Sequence, residues 1–255
     1  MNRTVLATAV LLSIATGIPA QEKIFVDIEI KETAKEQLRY AQSLAMEYGR
    51  ARDDAARHLA VARAGSAFDA VRKKWPRDAG AYIQSLLLQS DLFHNANAPE
   101  NVIRLLAPHK EWIAGNGNEP ALLRRLGTAY GMTGNEKDAE KAFQQALKSK
   151  ILDTHPDQAM LLHRAAALFH SRGGRSREAA VHFRHIMRNR GLRDGLRADA
   201  ALNVLDVSLQ GNDKAAARAD LAEVSETVKQ AMKSSSPDMA AWMERQLASL
   251  AANAQ

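Results

Sequence analysis

Seven residues between positions 120 and 153, Leu126, Gly127, Tyr130, Gly134, Ala139, Phe143 and Ala146, are spaced as two helices and the turn between them. Leu122, Leu123, Leu126 and Tyr130 recur at helical spacing, Gly134 and Asn135 break the helix, and Ala139, Ala142, Phe143, Ala146 and Leu147 resume it on one face. Gly127 and Ala139 are small where the two antiparallel helices would cross. The same order returns downstream. Leu162, Ala166 and Phe169 precede the turn Gly173–Gly174, and Ala179, Phe183 and Ile186 follow it. Farther on, Gly211, Asn212 and Ala216 repeat the spacing of Gly134, Asn135 and Ala139, although the helix before them lacks the small–aromatic pattern. A hairpin of this kind cannot bury its apolar face alone, so a chain containing several must stack them. Composition agrees: 46% of residues are apolar, only 5% are aromatic, and 14 Gly and 7 Pro are too few for a turn-rich β-sandwich.

The pattern resembles the tetratricopeptide repeat (TPR). Counting Pro120 as the first position, Leu126 and Gly127 match the family's large–small pair, Tyr130 its aromatic, Gly134 its turn glycine, and Ala139, Phe143 and Ala146 its second helix. Leu123 stands where the family has Trp, and Ile151 where it has the closing Pro. The resemblance implies an all-α fold, a right-handed α-solenoid of TPR-like helical hairpins. It also implies a peptide or partner helix held in the concave groove lined by the first helix of each repeat. On that register the groove residues are Arg124 and Thr128 from the clearest repeat and His163, Arg164, Ala167 and His170 from the next. Some members clamp a C-terminal carboxylate with Lys and Asn. Here Arg124 and Arg164 supply charge but the Asn residues are missing, so the clamp is not carried over.

The ends of the chain read differently. Arg3 precedes an uncharged apolar run from Val5 to Ile18, and Pro19 and Ala20 lead into the polar pair Gln21–Glu22, the layout of a secretory signal peptide cut after Ala20, with Gly17 as the alternative cleavage point. The run is too short for a comfortable membrane span, and an uncleaved anchor is the alternative. Val26, Ile28 and Ile30 alternate with Asp27, Glu29 and Lys31 as a short strand with no second strand nearby. It stays extended, packs on the helices, or pairs with a partner's sheet. Ser236–Pro237 starts a C-terminal capping helix whose apolar face is Met239, Trp242, Met243, Leu247 and Leu250. The organisation expected is therefore a signal peptide at 1–20, an extended segment and helix at 21–49, divergent hairpins at 50–118, TPR repeats at 119–232 and the capping helix at 233–255.

The absence of Cys removes thiol chemistry, disulfides and Cys-based metal sites. No nucleophile elbow, His-Glu-x-x-His or phosphate loop is present. Gly115–Gly117 reads as a linker, and Asp53–Asp54 as a helix cap or solvated face. Five of the eight His lie between His155 and His185, but the repeat register turns His163 and His170 to the groove and His182 and His185 to the outer surface, so no metal and no cofactor are expected. Charge is uneven. Residues 160–200 hold nine Arg against three acids and no Lys, the whole net charge of +6, while the other segments cancel. Arg suits carboxylate, sulfate and phosphate, so Arg172, Arg175, Arg177, Arg184 and Arg188 form a candidate anion-binding surface. The reading is a non-catalytic, periplasmic or secreted scaffold that binds a protein or peptide partner with acidic groups, as in an envelope secretion, pilus or polysaccharide-export assembly. The alternative is a binder of acidic polysaccharide or lipid head groups. Export disfavours nucleic acid, as does the basic segment, whose only aromatics, Phe169 and Phe183, are assigned to the core.

Overall fold

A computed structural model describes residues 5–10, 24–113 and 119–254; the Gly115–Gly117 linker and the leader's cleavage point lie outside them. Among the described residues the chain is all-helical apart from one two-stranded sheet, with adjacent helices packing consecutively. It divides into two compact units, Met1–Asn118 with Met132–Gly134, and Glu119–Gly131 with Asn135–Gln255.

In the first unit, β1 (Val5–Val10) and β2 (Ile24–Glu29) precede α1 (Ala34–Arg50), α2 (Asp54–Lys74), α3 (Ala79–Asn95), α4 (Pro99–Leu106), a 3₁₀ turn (Ala107–His109) and α5 (Lys110–Ile113). Helix starts follow local chemistry. Thr33 and Glu36 cap α1 reciprocally, Asp53 accepts from the Ala56 amide at 2.7 Å to start α2, and Asp78 does the same for α3. The centre of α2, from Ala60 to Phe68, buries a run of small residues (Ala60, Ala62, Ala64, Gly65, Ser66 and Ala67), which lets α1 and α3 both approach it. Buried Gln37 ties β2 down: its Oε1 accepts from the Lys31 amide at 2.8 Å, and its Nε2 donates to the carbonyls of Ala67 and Glu29 at 3.4 and 3.5 Å. Val26 and Ile28 are buried, as the alternation requires. One expectation is corrected here. The strand does have a partner, because β1, inside the stretch read as a leader, pairs with it antiparallel from Val5↔Glu29 to Val10↔Ile24. Backbone pairing is blind to side-chain identity, so any uncharged β-prone run that returns alongside can supply it.

The second unit comprises α6 (Glu119–Met132), α7 (Glu136–Leu147), a 3₁₀ turn (Lys150–Asp153), α8 (Pro156–Arg172), α9 (Ser176–Arg188), α10 (Asp194–Gln210), α11 (Lys214–Met232) and α12 (Pro237–Ala254). The helix pairs α6–α7, α8–α9 and α10–α11 turn in the same way. The amides of Asn135, Arg175 and Asp213 donate to the carbonyls of Tyr130, His170 and Ser208, each at 2.9 Å, and Ala98 does so to Phe93 in the first unit. This closure needs a left-handed residue just before the donor. Gly134 (φ 78°), Gly174 (71°), Asn212 (55°) and Asn97 (52°) provide it. Thus each downstream turn read from sequence carries the same hydrogen bond.

Close approach explains the small residues on α6. A Cβ on Gly127 would lie 3.2 Å from the Phe143 ring, and one on Gly131 2.9 Å from Phe169. The two rings meet at 5.4 Å, so α6, α7 and α8 join at a single aromatic contact. From α8 to α12 the core is lined with alanine, including Ala167, Ala179, Ala180, Ala198, Ala201 and Ala217, around Phe183, Met187, Leu205 and Val224. At the end, Met243 is buried and Leu247 and Leu250 pack against this core, whereas Met239 and Trp242 are exposed. The apolar face expected on α12 is therefore split, because the helix sits mainly on α11 and covers only one side of itself.

Phe143 is buried against Gly127 and Phe169. Phe143→Ala is expected to cost about 3–5 kcal/mol, seen as a lowered thermal melting temperature. A melting curve unchanged by the substitution would remove the aromatic contact as the joint of these three helices.

Candidate functional site

The face that α8 leaves open differs from the one read in the sequence. Its buried stripe is Ala159, Leu162, Ala166, Ala167 and His170, so the groove positions assigned to Ala167 and His170 point into the protein. Arg164 is exposed, and His163, Arg124 and Thr128 are half-buried. What α8 presents to solvent is Leu161 and Leu168, each 44% exposed, with Arg164 between them and Arg172 beyond. The offset has a simple cause. One residue along a helix turns a side chain by about 100°, and Leu161 and Leu168 stand on a different side of the helix from Leu162, which leaves the sequence register ambiguous.

The arginines face partners one repeat away. Arg177 meets Asp213 at 2.9 Å. Arg184 grips Asp220 with two hydrogen bonds of 3.0 and 2.6 Å, and Arg188 grips Glu223 with two of 2.8 and 2.7 Å. Arg175 reaches back to Glu140 at 3.2 Å and lies over the Phe169 ring, and Arg164 approaches Asp199 at 3.9 Å. The separations are 35 or 36 residues in the hydrogen-bonded pairs. Arg188 holds the Glu223 carboxyl below the usual carboxylate range, and the Ala216 amide, then Arg177, do the same for Asp213. Four of the five arginines assigned to an anion surface are thus engaged by this chain's own carboxylates, while Arg172 is exposed. Counting charge within residues 160–200 missed these partners because they stand in the neighbouring repeats; a search for opposite charges one repeat length apart would have found them. Beside the ladder, a cavity of about 680 Å³ opens between the start of α9 and the turn from α10 to α11, lined by Arg175, Arg177, Arg184, Ser208 and Asp213 among others.

The histidines come together instead of facing apart. The Nδ1 atoms of His163 and His182 lie 3.0 Å from each other. The His185 ring stacks on His163 at 4.6 Å, and the His170 ring on His182 at 5.2 Å. The four imidazoles therefore fill the seam between α8 and α9, with Glu140 Oε2 3.8 Å from His170 Nε2. Burial, then the neighbouring His185 and His182, pushes His163 down to about 3; burial, then His170 and His185, pushes His182 down to about 4. His170 is also lowered, because its burial outweighs the pull of Glu140. At neutral pH His163 and His182 are uncharged, and one ring of the pair donates to the other. Stacked rings hold their in-plane lone pairs parallel, and among the described residues no group of three or more His, Asp or Glu converges on a point that could hold a metal ion.

No protein-family model and no curated protein matches the chain. Among the described residues no helix is long and apolar enough to cross a membrane.

The histidine seam has a pH consequence with a definite sign. The folded values of His163 and His182 lie below the ordinary 6.5, so between about 6.5 and 4 the unfolded chain binds protons that the folded chain refuses, and stability falls as pH falls. The melting temperature is expected to begin dropping as pH falls below about 6.5, with the Glu223 and Asp213 carboxyls adding to the fall only as pH nears the ordinary carboxylate range. His163→Gln with His182→Gln is expected to flatten most of that slope; an equally steep slope in the double variant would mean the seam is not its source.

Proposed function

We propose that the chain is an exported, non-catalytic scaffold of TPR type, a right-handed α-solenoid that binds a protein or peptide partner along the open face of its first helices. The observation that carries this reading is the exposed pair Leu161 and Leu168 on α8, seven residues apart on one face with Arg164 between them. Two leucines at that spacing make an apolar stripe two turns long, and a central guanidinium adds a charge-assisted anchor. This is the surface an amphipathic helix or extended segment with an acidic group would complement. The repeated turn closure and consecutive helix packing support the solenoid, and the apolar run followed by Pro19–Ala20 supports export to the periplasm. The anion-binding alternative through the Arg-rich repeat has weaker support, since its guanidinium groups are largely committed to Glu140, Asp213, Asp220 and Glu223.

The test is retention of a partner from envelope extract on the immobilised protein. Leu161→Ser, Leu168→Ser and Arg164→Ala combined should abolish retention while leaving the melting temperature near that of the parent, because all three side chains are exposed. Retention unaffected by the triple substitution, or lost only when the Arg175–Arg188 row is changed, would overturn the reading.

A further inference from the structure

The edge of β2 is occupied by a strand that export would remove. β1 covers it over six pairs, Val5↔Glu29 to Val10↔Ile24, and all of β1 lies on the leader side of Ala20. Which backbone groups face β1 follows from the opposite edge. The Glu29 amide donates to the Tyr40 hydroxyl at 3.5 Å and its carbonyl accepts from Gln37 at 3.5 Å, so Glu29 turns its polar groups toward α1. Along a strand these groups alternate sides, so the N–H and C=O of Val26 and Ile28 point to β1. Meanwhile β2 has contacts of its own that do not involve β1: it packs on α2, and Gln37 holds the Lys31 amide and the Glu29 carbonyl.

We propose that the β2 edge is a strand-addition site, vacated with the leader and taken in the mature protein by an extended antiparallel segment of a protein partner. This rests on the exported reading and adds to it a second contact, made through backbone and separate from the α8 face. The chemistry of the incoming strand follows from the register. Residues directly opposite share a face of the sheet, so positions facing Val26 and Ile28 are apolar or β-branched, as Thr8 and Leu6 are in β1. Positions facing Asp27 and Glu29 lie on the exposed side beside two carboxylates, where Lys or Arg is favoured over the uncharged Ala7 and Val5 of β1. Asp27 and Glu29 also discourage two β2 edges from pairing with each other, a common safeguard on open strands.

The experiment uses the chain as the cell leaves it, expressed full length with export and recovered from the periplasm, with its N-terminus read by intact mass. The probe is a synthetic peptide of residues 4–11, with a second peptide carrying Val5→Lys and Ala7→Lys and a third carrying Thr8→Pro. In the processed chain the Val26 and Ile28 amides should exchange with solvent as unpaired amides do, the first peptide should restore their protection, the lysine peptide should do so at lower concentration, and the proline peptide should fail. Protection of both amides in the processed chain without peptide, or no protection from the first two peptides, overturns the proposal while leaving export intact. A mass showing residues 1–20 retained overturns removal of the leader and, with β1 still in place, the open edge; absence of the chain from the periplasm overturns the exported reading itself.

Discussion

Alanine-lined seams let helices come close but give them few protruding side chains with which to fix their register. From α8 to α12 nine of the twenty buried core residues are alanine, which lets the helices approach closely, and the larger ones among the twenty, such as Phe183, Met187, Leu202 and Leu205, are too few to fill every turn of the seams. Polar contacts outside the core add to what those larger side chains fix about which turn of one helix stands opposite which turn of the next. Arginine pairs that reach a carboxylate about one repeat away do this. Arg184–Asp220 and Arg188–Glu223 are two-pronged, and planar two-point contacts tolerate little displacement along the helix. The Arg184–Asp220 pair is the more sheltered of the two, so it is screened least.

The same constraint explains why net charge was misleading when read segment by segment. The surplus between residues 160 and 200 and the acids after residue 200 are two halves of one set of pairs. The helices and their turns were legible, because Gly134, Gly174 and Asn212 sit where only a left-handed residue closes the turn and because caps such as Thr33, Asp53 and Ser236 are local. Rotation of α8 about its axis was not. A helix with Leu161, Leu162 and Leu168 has apolar residues on two sides, and only the positions of α9 and α10 decide that Leu162 is buried while Leu161 and Leu168 stay outside. The pairing of β2 was hidden for a similar reason, since its partner belongs to a segment whose sequence reads as a leader.

With α8 turned as it is, one helix serves two purposes. Its inner side sends His163 and His170 into an imidazole seam with His182 and His185, and its outer side offers Leu161, Arg164 and Leu168. Stacked rings pack as flat, polarisable surfaces, and His163 and His182 are uncharged at neutral pH, so the seam can hold α8 against α9 without drawing on the arginines that join one repeat to the next.

The register of the stack is tested most directly by reversing its most sheltered charge pair. Arg184→Asp alone and Asp220→Arg alone each place like charges together and are expected to lose about 3 kcal/mol or more, read as melting temperature at fixed pH and salt. The double reversal should recover most of that loss, since the pair is restored with its polarity exchanged. Single reversals without effect, or a double variant as unstable as the sum of the two, would contradict a register held by arginine–carboxylate pairs across neighbouring repeats.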